Sequence, residues 1–136
     1  MNFGATLSDQ LPPRAMSKAF DCVCLVPYFK AFPGKEEEVK KLLPEFVKKT
    51  ALENGVIYYD FFSNGEDEFY CREAYRDAAC ALAHLTNVGV LLGEMMKIAD
   101  LTRVEIHGTA REVAKVKDSL EPLNPVCFIH ECGLER

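Results

Sequence analysis

Glu73, Tyr75 and His84 are the residues of this chain best placed by type and spacing to move a proton. The stretch Phe69-Tyr70-Cys71-Arg72-Glu73-Ala74-Tyr75 alternates as a strand does, so Phe69, Cys71, Glu73 and Tyr75 share one face. Asp77 follows as a helix cap, because its carboxylate can accept bonds from the free amides of the first turn and its charge suits the positive end of the helix dipole. His84 lies near the end of the helix that Asp77 opens, which brings the three side chains to one strand-to-helix junction. A neutral imidazole with a pKa of about 6.5 can take a proton at neutral pH. A tyrosine hydroxyl can hydrogen-bond a developing phenolate or enolate, and a carboxylate can orient the imidazole or act as a base itself. Each residue also has a structural reading. His84 can satisfy a carbonyl at the helix end, and Glu73 can pair with an arginine such as the partner's Arg72 or Arg76.

Other polar residues fit chemistry less well. Asn64 precedes Gly65 and reads as a turn residue. His107 alternates with Arg103 and Glu105 on a polar strand face, which suits solvent or an interface. Tyr58 and Tyr59 are adjacent, so only one can face a cavity, and His130 belongs to a C-terminal tail as a second cavity residue or none. His84, His107 and His130 lack metal-ligand spacing, no glycine-rich phosphate loop follows a strand, and no serine nucleophile elbow is present.

The elements that must hold the junction follow from periodicity. Residues 1–19 are read as a flexible arm broken by Pro12-Pro13. Phe20 to Phe32 is a strand in which Pro27, lacking an amide donor, belongs at a bulge or an unpaired edge. Glu36, Glu37 and Glu38 open an amphipathic helix with Val39, Leu42, Leu43, Phe46 and Val47 on its apolar stripe. Pro44 should bend that helix, and Gly55 is read as its left-handed stop. Val56 to Phe62 and Glu68 to Tyr75 form a hairpin around Ser63 to Asp67. After the helix from Asp77, a second helical stretch runs from Asn87 to Ala99, then a strand from Thr102 to His107. A helix from Ala110 to Leu120, a loop and a strand from Val126 to Cys132 complete the chain. The fold class is α+β, a ferredoxin-like antiparallel sheet with helices on one face and a C-terminal helix and strand added. Residues 20–136 are taken as a single domain, with a core over 20–108 and a tail over 109–136.

Composition narrows the partners. Nearly half of the 136 residues are apolar and the net charge is −5, which disfavours nucleic acid and acidic membranes. No apolar run is long enough to span a bilayer and Met1 to Phe20 does not resemble a secretory signal, so a cytoplasmic location is expected. The six cysteines are read as reduced and mostly buried.

The run Glu73-Ala74-Tyr75-Arg76-Asp77 to Ala83-His84-Leu85, preceded by Glu53-Asn54-Gly55 and the strand Val56 to Phe62, resembles the antibiotic-biosynthesis-monooxygenase family over roughly Val23 to His107. The resemblance implies a dimeric α+β barrel, packed sheet against sheet, which would cover the otherwise apolar free face. The strand from Val126 could then reach the partner. It also implies a cofactor-independent monooxygenase acting on a phenolic or quinol-like metabolite, with no flavin and no metal. His84 would be the base, Tyr75 the oxyanion donor and Glu73 the orienter, while Tyr59, Phe61, Phe69, Leu92 and Met96 would bind substrate. Haem-degrading relatives use an asparagine, tryptophan and histidine set, and this chain has no tryptophan. Two alternatives remain open: an isomerase using the same base without oxygen, and a non-catalytic barrel that binds a small molecule.

Overall fold

The computed structural model describes residues 22–134 and 136. The arm expected over 1–19 and the expected strand start at Phe20 lie outside them. The described elements, in order, are β1 (Val23–Ala31), α1 (Glu36–Thr50), β2 (Val56–Ser63), β3 (Glu68–Tyr75), α2 (Ala78–Asn87), α3 (Gly89–Met95), β4 (Ala99–Gly108), α4 (Ala110–Leu120), a 3₁₀ turn (Glu121–Leu123) and β5 (Val126–Ile129).

The strands form one sheet in the order β2-β3-β1-β4-β5. The first four pair antiparallel, as a ferredoxin-like sheet does, and β5 lies parallel to β4 with Ile106 opposite Cys127. The C-terminal strand thus extends the sheet of its own chain, and its four residues stop short of the expected Cys132. Val23, Leu25, Phe29 and Ala31 of β1 and Phe69, Cys71, Glu73 and Tyr75 of β3 are buried. These alternate residues face the helices. The opposite face is open and aromatic: Tyr28 stacks on Tyr70 and Tyr70 on Phe62, at centroid separations of 5.4 and 5.1 Å. Arg72 lies over the rings of Tyr58 and Phe62 on that face.

Pro27 sits in a central strand, not at an edge. The ladder with β3 has no pair at Val26 or Pro27, and the register with β4 shifts between Tyr28 and Phe29. The missing donor is thus accommodated by a gap on one side and a bulge just after it on the other.

The expected pair of helices is present: α2 ends at Asn87 and α3 follows from Gly89, the two meeting at 61°. α3 ends at Met95, short of the expected Ala99, which already belongs to β4 and pairs with Ala31. Pro44 lies inside α1, which continues through it to Thr50.

Gly55 does not take a left-handed conformation; among the described glycines only Gly34 and Gly65 do. Gly65 has φ +85° at the hairpin, where Asn64 Oδ1 accepts from the amides of Glu66 and Glu68, so Asn64 is a turn residue. Gly55 is needed for proximity instead. A Cβ there would lie 2.6 Å from Cys80 Cβ, so only glycine lets the loop after α1 close onto α2. Gly55→Ala should accordingly cost about 1–3 kcal/mol by overpacking, read as a lower urea midpoint with an unchanged slope. An unchanged midpoint would show that the loop and helix are not tightly seated.

Candidate functional site

A cavity of about 90 Å³ lies between the sheet and the helices. Its floor is built from Leu25, Pro27 and Phe29 of β1, Tyr59 and Phe61 of β2, Cys71 and Glu73 of β3, and Val104 of β4. Phe46, His84, Val88 and Leu92 roof it, and Leu120 and Leu123 close one end. Nearly all of these side chains are hydrocarbon, so Glu73 and His84 stand out as polar groups in an apolar enclosure. That arrangement is usual for small-molecule sites, where a few polar groups fix orientation.

The strand-to-helix junction places them. Asp77 is the cap of α2, its side chain accepting from Cys80 N at 2.9 Å, and Glu112 of α4 accepts from Ala78 N at 3.0 Å. Two carboxylates therefore satisfy free amides of the helix that carries His84. His84 is 1 % exposed, flanked by the rings of Tyr59 and Tyr75 at centroid distances of 5.0 and 5.1 Å.

Five side chains form one chain of polar contacts, buried at Tyr75, Glu73 and His84 and partly buried at Glu53 and Asn87. Tyr75 Oη donates to Glu73 Oε1 at 2.6 Å, and Glu73 Oε1 lies 3.5 Å from His84 Nε2. On the far side of the ring, His84 Nδ1 is 2.8 Å from Glu53 Oε2, which also accepts from Asn87 Nδ2 at 2.8 Å. Glu53 is a site residue that periodicity does not reveal. It lies in the loop after α1, and its only sequence signal is its place before Asn54-Gly55.

Burial dominates the electrostatics. It pushes the Glu73 carboxyl up to about 8, against the hydrogen bonds from Tyr75 and Cys71 that favour the charged form. Burial also lowers the pKa of His84, while the hydrogen bond and charge of Glu53 oppose that fall. Tyr59, Cys71 and Tyr75 are all raised, first by burial and then by the charge of Glu73. At pH 7 the pair is thus a neutral carboxylic acid beside a neutral imidazole, an acid and a base in one enclosure.

Of the residues expected to act, Glu73 and His84 reach the cavity, and Tyr75 stands behind Glu73 with its hydroxyl spent on it. Tyr59, Phe61 and Leu92 line the wall. Phe69 is instead buried in the core at 2 % exposure, and Met96 is 42 % exposed outside the cavity. α3 ends at Met95, which is buried, and Met96 is the capping residue just past it. Glu73 is buried with His84 rather than offered to an arginine of another subunit. His107 and His130 are not on the cavity wall; His107 bonds Glu105 at 2.9 Å, beside Phe128. None of the six cysteines forms a disulfide, and only Cys71 is buried. Cys24 lies on the open face, where the Cys22 thiol, more than the Tyr58 hydroxyl at 3.6 Å, lowers its pKa to about 6. Among the described residues no cluster of three His, Cys, Asp or Glu side chains could hold a metal ion, and no single helix is long and apolar enough to cross a membrane.

The raised pKa of Glu73 has a measurable consequence. The native protein keeps a proton that the unfolded chain releases near 4.5, so this stabilising contribution is complete below that pH and lost as pH rises through about 8. Glu73→Gln cannot ionise. Relative to the parent, its stability in urea should rise from about pH 4.5 to about pH 8 and level off above, at roughly 1.4 kcal/mol per unit of pKa shift retained. His84 is present in both proteins, so the opposite slope that its lowered pKa contributes at acid pH cancels from the difference. Parallel curves for the two proteins would mean that Glu73 is ionised in the fold.

Comparison with known proteins agrees with this architecture. A family model described as antibiotic biosynthesis monooxygenase matches residues 22–91. No curated protein matches the chain. The crystal structure of MupZ from Pseudomonas fluorescens is similar over 85 % of this chain and 95 % of its own, with 34 % identity and a TM-score of 0.81. A conserved protein from Methanosarcina mazei Go1 is similar over 68 % and 95 %, at 15 % identity and a TM-score of 0.61. Rv0793 from Mycobacterium tuberculosis is similar over 63 % and 92 %, at 22 % identity and a TM-score of 0.56. These two likenesses bear on the fold alone. A sheet in ferredoxin-like order, a family model over half of its length and a relative sharing a third of its residues agree: the chain belongs to the antibiotic biosynthesis monooxygenase family.

Proposed function

We propose that this protein is an enzyme that moves a proton on a small, largely apolar, oxygen-bearing metabolite, and that it does so as a cofactor-independent monooxygenase. The observation carrying this reading is the pair Glu73 and His84, 3.5 Å apart in a hydrocarbon-lined cavity. His84 Nε2 is the base that removes a proton from a phenolic or quinol-like substrate. The carboxyl of Glu73, held by Tyr75, takes the oxyanion-donor role that the sequence alone places on Tyr75. A protonated carboxyl in an apolar site can donate to a developing oxyanion at neutral pH. The electron-rich carbanion then reacts with dioxygen. For an anthrone-like substrate the CH₂ carbon is oxidised to a carbonyl, and the second oxygen atom leaves as water.

The acid and base side by side also support a reading without oxygen. Enolisation needs a donor at the carbonyl oxygen and a base at the adjacent carbon, and the same two groups supply both. In either case a homodimer suits the open face, where Tyr28, Tyr58, Phe62 and Tyr70 would meet the same patch of a second copy about a twofold axis.

Oxygen uptake and product formation with a panel of hydroquinones and anthrones, in air and under argon, test both readings. The monooxygenase reading expects turnover only in air, with His84→Ala reducing kcat by about 10²–10⁴-fold and Glu73→Gln by a smaller factor. Turnover that persists under argon selects isomerisation. Saturable binding with no turnover in either condition would leave a binding protein and end the enzymatic proposal.

A further inference from the structure

Glu53 has no place in the proton transfer just described, yet its geometry toward His84 is the shortest polar contact the imidazole makes. Its Oε2 lies 2.8 Å from His84 Nδ1 and accepts from Asn87 Nδ2, also at 2.8 Å. His84 and Asn87 are three residues apart on α2, so one helix face presents both donors to one carboxylate oxygen. A carboxylate has no proton to give, so the contact requires hydrogen on Nδ1. The lone pair of a neutral ring is then left on Nε2, which faces Glu73 and the cavity.

The loop that carries Glu53 is fixed by backbone, not by this side chain. Glu53 N donates to Thr50 O at 3.0 Å and Arg76 N to Gly55 O at 2.9 Å. Asn87 Nδ2 separately reaches Lys49 O at 3.0 Å, which ties α1 to α2 without Glu53. A mere tether between the helices would therefore not need a carboxylate here. Its chemistry is what a histidine needs for one tautomer.

We propose that Glu53 is a positioning residue that holds His84 in the Nδ1–H tautomer, keeping the Nε2 lone pair aimed at Glu73 and the cavity. The function of that lone pair rests on the reading of His84 as the base, but the tautomer does not. Everything that faces the ring is accounted for: Glu53 and Asn87 at the Nδ1 side, Glu73 at Nε2, and the Tyr59 and Tyr75 rings on its faces. Removing Glu53 leaves Glu73 as the one carboxyl beside the ring. The free energy then favours hydrogen on Nε2 pointing at Glu73, which blocks the lone pair.

Imidazole ¹⁵N NMR on the full chain reads this directly. The parent should show a neutral ring at pH 7 with Nδ1 protonated and Nε2 bare. Glu53→Ala should show the proton moved to Nε2. Glu53→Gln, close in size and able to accept through its amide oxygen, should keep the parent tautomer but lower the His84 titration midpoint, because the charge that opposes desolvation is gone. With a substrate in hand, Glu53→Ala should lower kcat by about two orders of magnitude with KM little changed, since a wrong tautomer disables a base without emptying its site. An unchanged tautomer in Glu53→Ala together with an unchanged midpoint in Glu53→Gln overturns the proposal. Should Glu53→Ala fail to fold, the midpoint in Glu53→Gln decides alone. A tautomer switch in a protein that turns nothing over would uphold the positioning role and reject only His84 as a catalytic base.

Discussion

A carboxyl group buried among apolar side chains with no cation beside it among the described residues is the constraint on which this structure turns. Glu73 is 4 % exposed, and its partners are a phenol, a thiol and an imidazole. Isolated ionisation in such a site costs more than holding the proton, so the group stays neutral. Neutrality has a second effect. The neighbouring imidazole gains no negative partner at Nε2 and stays neutral as well, while Glu53 supplies the charge on the opposite side. The same apolar walls thus raise the pKa of the acid and lower that of the base, holding both groups in their uncharged forms.

Those walls are the seam between two halves of the core. One buried cluster gathers Val23, Leu25, Tyr75, Ile106, Val113 and Val116; the other gathers Phe29, Val39, Phe46, Phe69 and Met95. Leu25, Val104 and Leu120 from the first and Phe29, Phe46 and Val88 from the second both reach the cavity. Pro27 lies on the floor where the β1–β3 ladder is interrupted. A hollow at a seam costs less packing than one cut into a continuous core, since neither cluster needs its interior contacts broken.

The parts of this site that were legible in the sequence are those that obey a local period. Alternation in Phe69 to Tyr75 put Glu73 and Tyr75 on one face, and the Asp77 cap fixed where the helix of His84 begins. Strand order followed from the succession of elements. Local period says nothing of Glu53, whose direction comes from a loop pressed on Cys80 at Gly55 and from an asparagine 34 residues away. It also could not show that Tyr75 would spend its hydroxyl on Glu73, because side chains two apart on a strand look equally free. Met96 was misplaced for a different reason. The apolar run continues through Met96 and Ile98, but the helix stops at Met95 and Ala99 is already paired with Ala31, so the composition alone overran the helix end.

The division of labour along the chain follows from where the family match ends. Residues 22–91 hold Glu53, Tyr59, Phe61, Glu73, Tyr75 and His84, the polar chain and the aromatic part of the floor. Leu92, Leu101, Val104, Leu120 and Leu123 lie beyond it, and all five are hydrocarbon. Leu120 and Leu123 come from α4 and the 3₁₀ turn, which β5 anchors by pairing with β4. A change in that C-terminal segment can therefore alter the cavity wall without touching Glu53, Glu73 or His84. The polar contacts of the cavity and part of its apolar outline are carried by separable stretches of the chain.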